Sequence, residues 1–209
     1  MIVDDRRCLI GSANLNDRSM NGDHDSEIAV IVEDPETVES QMDGKPYVAN
    51  KFACTLRRQL WKQHLGLLEP QFCPDVNQEP VTDSMKPVGF PNTDHAFDSD
   101  EDKAVMDPLS DELIELWHGT ATTNESVYED VFHTVPTNKV KTWDEYSKYH
   151  VHKPNLTGHV YDNKRSVRDI KEQLTKIRGH LVPAPTQFLI NEELREFDVS
   201  VNPLTLDVS

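Results

Sequence analysis

Two short, unbroken apolar runs near the start of the chain restrict its fold more than any other feature. The first contains Cys8-Leu9-Ile10, and the second is Ile28-Ala29-Val30-Ile31-Val32. Runs of this length predict strands at Arg7 to Ser12 and at Glu27 to Glu33, although length alone does not exclude a buried helix. Their lack of alternation is typical of strands in a sheet that is covered on both faces. The polar loop between them contains a turn signal, Asn21-Gly22.

A small polar cluster follows the first predicted strand. Gly11, Ser12 and Asn14 stand where that strand ends, and Glu27 opens the next one. Glycine lets backbone approach a ligand closely, and serine and asparagine side chains can donate hydrogen bonds to an oxyanion. Taken alone, Gly-Ser-x-Asn between two strands is more typical of a plain turn. The residues are therefore a candidate site whose assignment depends on the longer pattern.

That pattern extends on both sides of the cluster. Six residues separate Asp4 from Gly11-Ser12-x-Asn14, and the motifs Asn16-Asp17-Arg18-Ser19-Met20 and Asp25-Ser26-Glu27 follow. The arrangement resembles the second catalytic signature of the phospholipase D superfamily, in its animal-type branch directed at phosphatidylcholine. Two distant stretches resemble the same enzymes: the helical stretch 107–138, and Gly179-His180-Leu181-Val182 with the Pro and Phe-Leu that follow it.

The resemblance implies a fold and a set of roles. The fold would be α/β: the C-terminal part of a phospholipase D catalytic half-domain, a mixed sheet flanked by helices, and then a helical C-terminal segment. Asn14 would hydrogen-bond a phosphate oxygen, Ser12 would support Asn14 or contact the same oxygen, and Gly11 would belong to the same substrate-binding loop. Glu27 would hydrogen-bond a catalytic imidazole, and Asp4 would be structural. The reaction would proceed through a phosphohistidine and require neither a metal nor another cofactor.

The family pattern places His-x-Lys four residues before the aspartate that Asp4 matches. None of the nine histidines of this sequence has lysine two places on. We therefore expect a C-terminal fragment, truncated just after its His-x-Lys and lacking the N-terminal catalytic half, either as a genuine product or as a partial gene model. Phosphodiester cleavage needs a nucleophile and a general acid. We accordingly expect the chain alone to lack transphosphatidylation activity.

Charge and composition exclude some partners. The chain carries 37 acidic and 21 basic residues, a net charge of −16, which argues against nucleic-acid binding and gives no help in docking to an anionic membrane. Three cysteines at irregular spacing suit a reducing compartment. By resemblance, the partners would be phosphatidylcholine and a membrane surface, met through the full-length enzyme, with small GTPase or phosphoinositide regulation. The location would be cytoplasmic, peripheral on intracellular or plasma membranes.

Three regions are predicted along the chain. Residues 1–68 would complete the half-domain and end in a helix from Tyr47 to Leu65, closed by Gly66, whose basic face is solvated. Residues 69–107 are rich in proline and acidic side chains, which predicts a disordered insertion. Residues 108–209 would form the helical segment and an apolar tail that packs on the core.

Within the third region, we predict a helix from Ser110 to about Gly119 or a turn beyond, and a second from about Asn124 to His133. A short helix should follow Thr142, and another should cover Val167 to Ile177. Prolines at 183 and 185 favour an edge strand or packed arm near 179–189.

Other interpretations remain open. The chain could be a non-catalytic acidic interaction module derived from a phospholipase D, or belong to another hydrolase of the superfamily such as a nuclease. Ser99-Asp100-Glu101-Asp102 matches an acidophilic kinase target. His150 and His152 could face one metal ion, but no third ligand lies nearby in the sequence.

Overall fold

The chain begins with a three-stranded antiparallel sheet. The computed structural model describes residues 1–68, 99–149, 160–162 and 164–194. Strands β1 (Ile2–Val3), β2 (Arg7–Gly11) and β3 (Ala29–Val32) lie in the order β1-β2-β3. Both strands predicted from the apolar runs are confirmed, each slightly shorter than expected. A four-residue helix, α1 (Asp17–Met20), lies in the loop between β2 and β3.

Both faces of this sheet were expected to be covered by other elements, but several of its apolar side chains are exposed. Cys8 is buried, but Ile10, Val30 and Ile31 are 53%, 57% and 67% exposed. Within the described residues, the apolar run of β3 therefore contacts little of the core. The strand pairs of the described residues are all antiparallel, whereas a mixed sheet was expected.

A hairpin follows, which the sequence patterns did not predict. Strands β4 (Thr37–Met42) and β5 (Lys45–Asn50) are joined by Asp43-Gly44, whose φ angles of 56° and 69° suit a tight hairpin turn. The buried Asp107 carboxylate accepts the backbone N–H groups of Asp43 (3.0 Å) and Gly44 (2.7 Å) and so fixes that turn. Burial alone would raise the pKa of Asp107, but these backbone hydrogen bonds hold it below its ordinary value.

Helix α2 (Lys51–Leu65) packs against strands of both sheets. The predicted start at Tyr47 is wrong, because Tyr47 to Asn50 belong to β5. The predicted end is confirmed, with Gly66 in the left-handed region at φ 69°.

The predicted solvated basic face of α2 is also wrong: Arg57, Arg58 and Lys62 are 5%, 2% and 7% exposed. Arg57 donates to both oxygens of Asp5 (2.7 and 2.8 Å). Arg58 and Lys62 both donate to Asp102, at 2.6 and 3.1 Å.

The predicted disordered insertion is ordered at its C-terminal end. Ser99 accepts the N–H of Asp102 at 3.1 Å and caps a short helix, α3 (Asp100–Ala104). The side chain of Asp102 is 3% exposed between the two cations of α2. Disorder is therefore the wrong prediction for residues 99–107, and residues 69–98 lie outside the described residues.

Helix α4 (Asp111–Phe132) is continuous, so the prediction of two helices here is wrong. Gly119 lies inside it, and an interior glycine costs a helix only about 1 kcal/mol relative to alanine. The predicted cap is confirmed, since Ser110 accepts the N–H of Leu113. The later helices are α5 (Trp143–Tyr149), with Thr142 capping Glu145 as expected, and α6 (Val167–Leu174), three residues shorter than predicted.

Two apolar clusters hold the helices together. Each combines buried residues with partly buried ones around them. The first contains Leu65, Val105, Leu113, Trp61, Leu67, Trp117 and Leu181. The second contains Val127, Val131, Ile177, Tyr128, Phe132, Val160, Ile170 and Leu174. The first cluster joins α2 to residues that follow 69–98 in the chain, so α4 packs directly on α2.

The segment after α6 is a packed arm. For residues 179–189 the sequence predicted either an edge strand or a packed arm, and the second alternative is correct. Asn124 of α4 donates to the carbonyls of Arg178 (2.7 Å) and Leu181 (2.8 Å) and accepts the N–H of Arg178. Gly179 crosses Gly66 so closely that a Cβ on Gly179 would lie 1.9 Å from the carbonyl oxygen of His64. The arm is therefore fixed to both α2 and α4.

Some predictions fall on residues that are not described, namely His150, His152, Cys73 and the tail 202–209. Cys8 and Cys54 are buried free thiols. In the described ranges, no group of three or more His, Cys, Asp or Glu side chains could hold a metal ion. Nor does any helix in them have the length and apolar character that crossing a membrane requires.

Candidate functional site

The candidate site lies where β2 ends and β3 begins. Gly11 pairs with Ala29 across the two strands. A Cβ at Gly11 would lie 2.7 Å from the Cβ of Ala29 and 2.8 Å from the carbonyl oxygen of Ile28. The absence of a side chain at Gly11 therefore allows the strands to approach at this point, which brings the residues that follow β2 beside those that precede β3.

Ser12 links the two strand ends. Its N–H donates to the carbonyl of Ile28 at 3.0 Å, and its hydroxyl oxygen accepts the N–H of Ile28 at 3.1 Å. The hydroxyl donates its proton to the carboxylate of Glu27. Because a serine has a single hydroxyl proton, Ser12 in this arrangement holds Glu27 and leaves direct donation to a substrate oxygen to other groups.

Glu27 is exposed and is held as a carboxylate. Hydrogen bonding, first from Ser12 and then from Ser19, lowers its pKa below the ordinary glutamate value, against smaller opposing effects of desolvation and then of nearby Asp25. A lowered pKa means that Glu27 stays ionised to more acidic pH than a free glutamate. The site therefore presents a fixed negative charge to solvent.

Asn14 lies in the same loop between β2 and β3. Its backbone N–H donates to the hydroxyl of Ser19 at 3.0 Å. The side chain is exposed, and no hydrogen bond to another described residue engages its amide. The amide N–H groups of Asn14 are thus available to donate to a ligand.

The loop around Asn14 is closed by two further contacts that the sequence analysis did not single out. Asn16 accepts the N–H of Ser19 at 3.0 Å and caps α1. Arg18 donates to both oxygens of Asp25, at 2.9 and 2.7 Å. All four residues lie within the motifs that carry the resemblance, but their spacing does not reveal which of them face each other.

Asp4 lies at the opposite end of β2 from this cluster, about 13 Å away for a strand of this length. It adopts a positive φ of 51° in the β1–β2 turn, and its carbonyl accepts the hydroxyl of Tyr47 at 2.7 Å. The neighbouring Asp5 also has a φ of 51°, and its side chain makes the buried ion pair with Arg57. The structure thus places Asp4 in the turn and assigns the buried charge to Asp5.

The site therefore combines two kinds of group at one strand edge. It places Gly11, Ser12, Asn14 and Glu27 at the same end of the β2–β3 pair, with Ser12 in contact with Glu27, and leaves Asp4 apart. An exposed amide donor suits a phosphate oxygen, and a fixed carboxylate suits a cationic imidazole.

Comparisons with known proteins identify the family of this sequence. The sequence model of the phospholipase D family matches residues 1–111. Phospholipase D zeta 1 of Arabidopsis thaliana is 37% identical over 212 residues, covering 93% of this chain and 16% of the relative. Phospholipase D1 of Homo sapiens is 38% identical over 195 residues, covering 93% and 15%. Phospholipase D C of Dictyostelium discoideum is 35% identical over 191 residues, covering 90% and 9%.

The chain thus spans about one sixth or less of the length of these relatives. The matched residues 1–111 include the whole candidate site and helices α1 to α3. Since the family model covers more than half of its 209 residues, the chain belongs to the phospholipase D family.

Proposed function

We propose that this chain forms part of a phosphate site in a phospholipase D that hydrolyses phosphatidylcholine to phosphatidic acid and choline, with phosphatidyl transfer to alcohols as a side reaction. One observation carries the proposal: Asn14 and Glu27 lie at the same end of the β2–β3 pair, one with a free side-chain donor and the other as a carboxylate held by Ser12. Preorganised donors of this kind stabilise charge that develops on phosphoryl oxygens.

The proposed reaction has two steps. An imidazole nitrogen attacks phosphorus, the bond from phosphorus to the choline oxygen breaks, and a second, protonated imidazole gives its proton to that oxygen. The phosphatidyl group is then held on the first imidazole. The second imidazole next takes a proton from water, whose oxygen attacks phosphorus and breaks the phosphorus–nitrogen bond. Phosphatidic acid is released, or a phosphatidyl alcohol where an alcohol replaces water.

Residues of this chain would assist both steps. Asn14 would donate to a non-bridging phosphoryl oxygen, on which negative charge grows as the nucleophile attacks. Glu27 would accept an N–H from one imidazole, which fixes its tautomer and stabilises its cationic form. Ser12 would hold Glu27 in place through the hydrogen bond described above.

The imidazoles of this reaction belong to His-x-Lys motifs, and no histidine of this sequence is followed two places later by lysine. We therefore propose that the 209-residue chain is inactive alone and functions within a longer enzyme. That enzyme would be cytoplasmic, peripheral on membranes and active in lipid signalling. With a net charge of −16, this chain adds no attraction to anionic lipids, so membrane attachment and any small GTPase or phosphoinositide regulation would act through the rest of the enzyme.

A chimera tests the proposal. This chain replaces the matching segment of human phospholipase D1, and phosphatidylethanol is measured with phosphatidylcholine vesicles and ethanol. We expect the chimera to be active and Asn14→Ala in it to lose most of that activity, because one oxyanion donor contributes about 100- to 1,000-fold. The purified 209-residue chain should form no phosphatidylethanol.

Asn21→Ala is the matched control, since it removes an asparagine side chain from the same exposed loop but lies beyond α1. It should leave the activity of the chimera unchanged. A folded chimera without activity, or an Asn14→Ala chimera as active as its parent, would contradict the proposed function. The first of these results would favour the non-catalytic interaction module.

A further inference from the structure

We propose that the ion pair of Arg18 with Asp25 positions Asn14 for its contact with a phosphate oxygen. Both partners lie in the loop between β2 and β3, which also carries Asn14 and Glu27. Arg18 is then a positioning residue, since it acts through the loop and not on a substrate. Its consequence for the reaction rests on the proposed function, whereas the restraint on Asn14 can be measured without turnover.

The loop is closed at its base by contacts of Ser12. The N–H of Ser12 donates to the carbonyl of Ile28 at 3.0 Å, and its hydroxyl oxygen accepts the N–H of Ile28 at 3.1 Å. The same hydroxyl donates to Glu27. These contacts hold the two ends of the loop, so residues 13–26 depend on contacts within the loop for their position. Asn14 is among them.

The Arg18–Asp25 pair closes the loop a second time. Nε of Arg18 donates to one carboxylate oxygen of Asp25 at 2.9 Å, and Nη2 donates to the other at 2.7 Å. Arg18 follows Asn14 in the chain, and Asp25 precedes Glu27. The pair therefore joins the half of the loop that carries the proposed phosphate donor to the half that carries the carboxylate.

Hydrogen bonds connect Arg18 back to Asn14. Arg18 belongs to α1, which Asn16 caps. Ser19, the next residue of α1, donates its N–H to the Asn16 side chain at 3.0 Å. The Ser19 hydroxyl accepts the backbone N–H of Asn14, also at 3.0 Å. A displacement of α1 would therefore move the backbone that carries the Asn14 side chain.

Bidentate geometry distinguishes this pair from an ordinary surface ion pair. The side chain of Arg18 is 74% exposed and that of Asp25 is 34% exposed, and exposed pairs usually contribute little to stability. Two parallel hydrogen bonds nevertheless add geometric specificity, because they fix the relative orientation of both groups. We therefore expect loss of the pair to loosen the loop without unfolding the protein.

Nitrogen-15 relaxation of the Asn14 backbone amide, measured by NMR in the 209-residue chain, tests this restraint. Arg18→Met should lower its order parameter from about 0.85, the value of rigid backbone, toward about 0.6. Arg18→Lys keeps the charge but loses the bidentate geometry, so its effect should be intermediate. Asp25→Asn should act like Arg18→Met, and combining the two should add little, because both remove the same contact.

Arg7→Met is the matched control. Arg7 is also an exposed arginine paired with an acidic residue, Glu33, but it lies in β2, outside the loop. Its substitution should leave the order of Asn14 unchanged. The proposal is overturned if Asn14 is already mobile in the unmodified chain, if Arg18→Met leaves it rigid, or if Arg7→Met loosens it equally.

A second readout addresses the reaction. In the active chimera, Arg18→Met should lower kcat for phosphatidylethanol formation by about 10- to 100-fold, because a donor misplaced by about 1 Å can cost this much. KM should change little, Arg18→Lys should recover part of the rate, and Arg7→Met should lose none. An unchanged kcat in Arg18→Met would overturn the positioning role. An inactive chimera, with the predicted loosening of Asn14 in the 209-residue chain, would refute the proposed function and leave the restraint intact.

Discussion

The ion pair of Asp5 with Arg57 is buried on both sides, which makes it costly to form and therefore informative. Two charges lose their hydration on burial, and only good geometry offsets that loss. Here the guanidinium of Arg57 is bidentate to Asp5 and also donates to the carbonyls of Val105 (2.6 Å) and Met106 (3.0 Å). Its face lies 4.8 Å from the ring centre of Trp61. One side chain thus joins the β1–β2 turn, α2 and the end of α3.

We predict that Arg57→Met lowers the free energy of unfolding by about 3–5 kcal/mol, because Asp5 is left as an uncompensated buried charge. Asp5→Asn should act in the same direction, and asparagine tolerates the positive φ of that turn. The double variant should cost less than the sum of the two, because neither charge then remains unpaired. Urea unfolding of the three variants measures this coupling.

Lys51→Met is the control for Arg57→Met on the same helix. Its partner Glu36 lies 2.7 Å away, but both side chains are more than half exposed. Exposed pairs of this kind contribute little, so unfolding should hardly change. Equal losses for Lys51→Met and Arg57→Met would refute the buried role of Arg57.

The sequence could not reveal this difference between basic residues of one helix. Lys51, Arg57 and Lys62 have similar side chains and fall outside the apolar stripe of α2, which is why a solvated face was predicted. Their partners decide their burial, and Asp5 lies 52 residues from Arg57 while Asp102 lies 40 from Lys62. Periodicity compares only residues that lie within a few turns of one another on the same helix.

At the scale of elements, the sequence predicted strands and helix ends correctly where one clear local pattern marked them. It failed where two patterns overlapped. Apolar runs located β2 and β3, and Ser110 and Gly66 marked true helix ends. The start of α2 was wrong because residues of β5 continue the four-residue spacing of the helix. In the site, the motif predicted which residues lie at the end of the β2–β3 pair. The hydrogen bonds of Ser19 with Asn14 and Asn16 depend on the path of the loop, which the motif does not give.

Substitution by alanine should have opposite effects on stability at two glycines of this fold. Gly179→Ala should destabilise the protein by more than about 1–2 kcal/mol, because its φ is +56° and the new Cβ would meet the backbone of His64 and Gly66. Gly119→Ala should instead stabilise it by about 0.5–1 kcal/mol, since that site is helical and open. Thermal unfolding of both variants measures the difference. Stabilisation by Gly179→Ala would show that the arm does not cross α2 this closely.

At the scale of the whole molecule, Asp102 connects the parts of the chain on either side of residues 69–98. It follows them in α3 and holds Arg58 and Lys62, which precede them in α2. Val105, a few residues on, completes the apolar cluster with Leu65. The part of the chain that follows residues 69–98 is therefore held against α2 by ion pairs. The segment 99–107 also fixes the β4–β5 turn through Asp107.

This arrangement predicts that Asp102→Ala is more damaging than the loss of one ordinary ion pair. Two buried cations would lose their common partner, so the free energy of unfolding should fall by at least about 3–5 kcal/mol. Hydrogen exchange should accelerate first in 99–107 and in the β4–β5 turn, because both depend on this anchor. Asp100→Ala is the control: its side chain is 98% exposed and only 3.8 Å from an exposed Lys103, so stability should hardly change. If Asp102→Ala left exchange in 99–107 as slow as in Asp100→Ala, Asp102 would not be the anchor, and the segment would be held by the apolar contacts of Val105 and the hydrogen bonds from Arg57.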